Sequence, residues 1–87
     1  MLTLDSIKAD LEGRLVDIPT KKHLSVRWEP APGIARVGVM IDEYTWKMRD
    51  QVIDRLLAFE AAHADELALE FDIFSLDDVN TVGFDEV

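Results

Sequence analysis

Leu4, Ile7, Leu11, Leu15 and Ile18 recur at steps of three and four residues, which predicts an amphipathic helix over residues 4–18. Thr3 stands where an N-cap belongs, and Asp5 falls in the first turn, where the positive end of a helix favours a carboxylate. Pro19 sets the end, because the residue before a proline avoids helical backbone angles. Leu24, Val26 and Trp28 then alternate with Ser25, Arg27 and Glu29, the pattern of a strand with one apolar face. Pro30-Ala31-Pro32-Gly33 interrupts it with turn chemistry. Ala35, Val37, Val39 and Ile41 alternate with Arg36, Gly38 and Met40, a second strand that forms a hairpin with the first. A second helix is predicted over residues 44–63, capped by Asp42 or Thr45, with Trp46, Met48, Val52, Ile53, Leu56, Leu57 and Phe59 as its apolar positions. Leu67, Leu69, Phe71 and Ile73 alternate with Ala68, Glu70, Asp72 and Phe74 in a third strand, and no period is sustained from Ser75 onward.

The order is α-β-β-α-β. A strand–helix–strand unit lays its helix on one face of the sheet, and the first helix buries its stripe most economically on the same face. The expected fold is a two-layer α+β domain with a three-stranded sheet, both helices on one face and the other face bare. Residues 1–76 form this single domain, and 77–87 an acidic C-terminal tail. The order resembles that of the small αββαβ folds of the BolA and type II KH classes. The Gly-x-x-Gly loop by which KH domains hold nucleic acid has no counterpart in Ile41-Asp42-Glu43-Tyr44-Thr45-Trp46. The segment Met48-Arg49-Asp50-Gln51-Val52 lacks the histidine of the BolA-like helix motif. No functional residue is therefore carried over from either class.

Composition narrows the functional classes. A chain of 87 residues hides roughly 60–65% of its unfolded surface, enough for one modest core and no buried cofactor chamber. It contains no cysteine, which excludes a disulfide framework, a thiol nucleophile and thiolate metal ligation. No basic leader, lipidation signal or long apolar span is visible, so a cytoplasmic location is expected.

Charge changes the picture most. Nine Lys and Arg face eighteen Asp and Glu, a net charge of −9. All nine basic residues lie before residue 56, where nine acids balance them, and residues 56–87 carry nine acids and no Lys or Arg. Asp65 and Glu66 sit at the C-terminal end of the second helix, where the dipole makes each carboxylate unfavourable by ~0.3–1 kcal/mol. Two readings account for the excess. Arg27 and Arg36 share the bare face with Glu70 and Asp72, so cross-strand pairs can neutralise part of it internally. Alternatively, the acidic third steers a basic protein partner.

Motifs that carry chemistry are scarce. His63 follows Phe59 by four residues on the apolar side of its helix, the position of a hydrogen-bonded core-edge histidine. No nucleophile elbow, zinc-binding helix or phosphate loop is present, and no catalytic residue is assigned. Asp78-Val79-Asn80-Thr81-Val82-Gly83 begins like a calcium loop, but Val82 fills a ligand position and no glutamate follows at the twelfth. No metal or cofactor is expected. Direct nucleic-acid binding needs clustered cations, and Lys21-Lys22 with Arg27 is the only such group. Trp28 and Trp46 have the spacing of core residues, whereas Tyr44 and Phe84 do not.

The expected function is a non-enzymatic, acidic protein–protein interaction module of the small inhibitor, antitoxin or immunity type. Its partner-binding residues are Tyr44, Phe74 and Phe84 as anchors, with Asp65, Glu66, Glu70, Asp72, Asp77, Asp78, Asp85 and Glu86 as the steering carboxylates. The alternatives are an acidic mimic of nucleic acid that inhibits a DNA- or RNA-binding protein, and a homo-oligomeric subunit. The bare face, with Met40, Ala68 and Phe74, or a free sheet edge offers a route to a homodimer.

Overall fold

The computed structural model describes residues 2–75 and the backbone of residues 85–86. Helix α1 (Leu4–Leu15) is followed by strands β1 (Lys22–Glu29) and β2 (Ile34–Ile41), helix α2 (Trp46–Ala62), strand β3 (Ala68–Ser75) and the two-residue strand β4 (Asp85–Glu86). The expected α+β fold of order α-β-β-α-β is present. Three long strands form an open mixed sheet, and β4 adds a short bridge, giving the spatial order β3-β2-β1-β4.

Local chemistry explains each boundary. Thr3 and Ser6 form a reciprocal capping box at the start of α1, the Thr3 hydroxyl accepting from the Ser6 amide at 3.1 Å. The helix ends at Leu15, three residues earlier than the apolar spacing predicts. Ile18 keeps its place in the core at 3% exposure by way of a turn, its amide donating to the Leu15 carbonyl at 3.1 Å. The need for Ile18 to leave helical angles before Pro19 acts over the whole last turn. Arg55 of α2 then donates to the Arg14 carbonyl at 2.9 Å and to the Asp17 carboxylate at 2.7 Å, satisfying the negative end of α1. Thr45, rather than Asp42, caps α2 by accepting from the Met48 amide at 3.2 Å.

β1 and β2 are antiparallel, with Val26 opposite Val37. The connecting turn closes on Gly33, whose φ of 69° suits glycine, and whose carbonyl accepts the Ala68 amide at 2.8 Å. α2 carries the chain across to β3, which runs parallel to β2 with Val37 beside Phe71. Ile7, Leu11 and Leu15 of α1 and Val52, Leu56 and Phe59 of α2 pack on Leu24, Val37 and Val39, so both helices share one face of the sheet. No helix among the described residues is long and apolar enough to cross a membrane.

Lys22 is the outstanding member of the buried set, 2% exposed. It has the parity of Leu24, so its stem enters the helix-covered side while its Nζ donates to the carbonyls of Ile18 at 2.8 Å and Thr20 at 3.0 Å. The residue that reads as half of a surface basic pair is thus a fastener for the α1–β1 turn. Two further expectations are corrected. Leu57 is 47% exposed, because it lies on the side of α2 away from Val52, Leu56 and Phe59. Met40, expected on the bare face, is fully buried in the cross-strand row His23–Met40–Phe74.

Candidate functional site

The face of the sheet opposite the helices is ordered by strand register. One row is Arg27–Arg36–Glu70 and the next Ser25–Gly38–Asp72. Gly38 has no side chain to fill the middle of the second row. A shallow concavity of about 420 Å³ results, walled by Arg27, Arg36, Glu70, Asp72 and Phe74. Arg27 stands directly across from Arg36, an unfavourable like-charge pair. Arg36 is compensated from both sides, 3.4 Å from Glu29 and 3.9 Å from Glu70. Arg27 and Asp72 make no ion pair among the described residues.

The residues expected to bind a partner fall in separate places. Glu70, Asp72 and Phe74 lie together on the open side of β3, with both carboxylates exposed and Phe74 half-buried. Asp65 and Glu66 occupy the turn from α2 to β3, at the far end of α2 from Tyr44; a helix of 17 residues separates them by about 25 Å. Asp85 and Glu86 pair with Leu24 and His23 on the edge of the sheet away from β3. Asp77, Asp78 and Phe84, and with them the calcium-like loop start, lie outside the described residues. The acids of the last third therefore do not share one patch. Internal pairing accounts for Glu70 through Arg36, and leaves Asp65 and Asp72 uncompensated among the described residues.

A second surface was missed by the spacing argument. Trp46, expected at the core edge, is 77% exposed. The buried line of α2 runs through Met48, Val52, Leu56 and Phe59, and Trp46 lies about 120° around the helix from it. As the first residue after the Thr45 cap, it also has no preceding helical turn to pack against. The Arg49 guanidinium sits 5.5 Å from the Trp46 ring, and Tyr44 is 46% exposed beside them. Trp, Tyr and Arg are the residue types that most often carry interface energy. The usable signal was the Thr45 cap, which fixes Trp46 as a terminal residue rather than a member of the apolar stripe.

His63 is held away from both surfaces. Its Nε2 lies 2.7 Å from the Asp10 carboxylate, its Nδ1 is 3.7 Å from Glu66, and its ring is 4.7 Å from that of Phe59. Arg14 donates to the other Asp10 oxygen at 2.8 Å. This is a clasp between α1 and the end of α2. Burial pushes the Asp10 carboxyl up, but the hydrogen bonds with His63 and from Arg14 outweigh it and hold the group below its ordinary 3.8. A carboxyl depressed by folding stabilises the fold above its unfolded value, and that contribution disappears as the pH falls through the folded value. Asp10→Asn is therefore expected to lower stability by roughly 1 kcal/mol at neutral pH. In urea titrations at stepwise lower pH, its deficit against the wild type should shrink below the ordinary carboxylate range; a constant deficit contradicts the clasp. No group of three or more metal-ligating side chains occurs among the described residues.

These surfaces present carboxylates on an edge strand and an aromatic–arginine patch at a helix start. Compared with known proteins, the chain matches no family model and no curated protein at a significant level, so its surfaces stand on their own chemistry.

Proposed function

We propose that this protein is a non-enzymatic interaction module that binds a basic protein surface, as small inhibitors, antitoxins and immunity proteins do. The observation that carries this reading is the open side of β3. There Glu70 and Asp72 stand two residues apart beside Phe74, and among the described residues only Glu70 of the two meets a cation. Carboxylates beside a half-buried aromatic ring supply steering and an anchor in one place. The net charge of −9 adds a long-range field that favours encounter with cations. Imitation of nucleic acid is less well supported, since Arg27 and Arg36 interrupt the negative surface that a phosphate-binding groove requires.

The test is affinity capture from the source cells at low and high salt, with the wild type beside a Glu70→Gln/Asp72→Asn double variant. The wild type is expected to retain a basic protein at low salt and release it at high salt, and the double variant to retain much less. No basic protein retained at low salt, or equal retention by the variant, contradicts the reading. Nucleic acid that displaces the captured protein shifts the assignment to the mimic.

Trp46 supports an additional contact. A tryptophan exposed to this degree, with Arg49 on its ring and Tyr44 at its side, suits the centre of an interface. Trp46→Ala is expected to weaken capture by about tenfold or more and to leave the thermal midpoint nearly unchanged, whereas Leu57→Ala on the same helix leaves capture intact.

A further inference from the structure

Among the described residues, β3 is the outermost strand of the sheet on its side. Ala68 donates its amide to Gly33 of the β2 side at 2.8 Å. Backbone groups alternate along a strand, so Ala68, Glu70, Asp72 and Phe74 turn their amides towards β2, and Leu69, Phe71 and Ile73 turn theirs outward. The first outward amide is already used, Leu69 donating to the Glu60 carboxylate of α2 at 3.1 Å. Phe71 and Ile73 each direct an N–H and a C=O to the open edge. Along this edge the side chains alternate between Leu69, Phe71 and Ile73, half-buried against the core, and the exposed carboxylates Glu70 and Asp72 on the other face.

A second copy of the chain is a poor occupant in the two registers that overlap the strands most fully. Two β3 strands related by a two-fold axis pair antiparallel, with matching faces. Centred on Phe71, that pairing sets Glu70 against Asp72 of the other copy twice; centred on Asp72, it sets Asp72 against itself. Like charges directly opposite each other are destabilising in both registers. The same carboxylates invert the preference for a strand that carries cations at those positions.

Resting on the interaction reading above, we infer that the edge of β3 is a strand-addition site for a basic partner. The partner presents an extended segment that alternates Lys or Arg with apolar residues. Its backbone pairs with Phe71 and Ile73, its cations meet Glu70 and Asp72, and its apolar side chains extend the row Leu69–Phe71–Ile73.

The probe is a synthetic peptide of alternating Lys and Val, eight residues long to match β3. Its controls are a peptide of the same composition with the lysines in one block, and the alternating peptide N-methylated at the amides that would face β3. The alternating peptide is expected to bind, to slow amide hydrogen exchange at Phe71 and Ile73, and to outcompete both controls by about tenfold or more. Ile73→Pro removes an amide that no partner among the described residues uses and should weaken binding similarly while the far-UV spectrum is kept. Equal binding by the N-methylated peptide, or no protection at Phe71 and Ile73, overturns strand addition and leaves the charged face as the site. No binding by the alternating peptide also overturns it, with the carboxylates then acting only to prevent self-pairing. The capture experiment with the Glu70→Gln/Asp72→Asn variant judges the wider reading separately.

Discussion

Phe59→Ala is expected to remove about 3–5 kcal/mol of folding stability. Phe59 is fully buried, and it is the largest of the fully buried side chains among the described residues. It packs from α2 among residues of α1 and the sheet, and its ring also supports His63, which clasps Asp10 of α1. A domain of 87 residues has roughly 4–13 kcal/mol in total, so the loss leaves a marginal fold. Leu57→Ala, two residues away and 47% exposed, should change stability by only about 0.5 kcal/mol. Urea unfolding of the two variants, followed by far-UV circular dichroism, measures the difference directly. Similar losses from both positions contradict the placement of α2, because a helix turned by half a revolution exchanges their burial.

That pair of residues also marks how far the pattern of the chain reaches. Strict alternation made the three long strands legible, because a strand with one covered face has no other way to arrange its side chains. Thr3 and Thr45 marked helix starts by their chemistry. Helix faces were less legible. The apolar positions of α2 span half its circumference, and within the helix body nothing local decides that Leu56 is buried while Leu57 faces water. The sheet beneath the helix decides it. Lys22 shows a related effect: its charge suggests solvent, but its parity with Leu24 places it inside, and parity governs.

The candidate site divides in the same way. The alternation of β3 already put Glu70, Asp72 and Phe74 on one side, and this holds in the structure. Which cations they meet depends on a parallel register between strands more than thirty residues apart, and no spacing rule reaches that far. Glu70 finds Arg36 only because β3 aligns with β2, and Asp72 faces a gap because Gly38 is its neighbour. Topology also scatters the acids that sequence order gathers, sending Asp65 and Glu66 to one end of α2 and Asp85–Glu86 to the opposite edge of the sheet. A run of charge in sequence becomes a patch only if the chain stays on one element. On β3 it does, and the edge position then makes the backbone available beside the charge.

Lys22→Ala is expected to cost about 3 kcal/mol, the sum of a buried stem lost and of hydrogen bonds removed from the α1–β1 turn. Lys22→Met separates these parts. It refills the space, leaves the Thr20 carbonyl without the Nζ donor, and should cost about half as much. The Ile18 carbonyl is less affected, because it also accepts the Thr20 amide at 2.9 Å. Alkaline pH then tests the ammonium itself. Burial pushes the Lys22 pKa below its ordinary 10.5, and attraction to Asp17 only partly opposes this. Between the lowered folded value and 10.5 the unfolded chain binds more protons than the folded one, so this group adds stability as the pH rises through that window. The neutral amine still donates to both carbonyls, and it no longer bears the cost of an ion out of water. The deficit of Lys22→Met against the wild type is therefore expected to widen as the pH rises towards 10.5, since the variant has nothing to deprotonate there. Effects of other alkaline groups cancel in the difference between the two proteins. A deficit that stays flat across this range contradicts a buried ammonium at the turn, and one that narrows means that folding raises the Lys22 pKa.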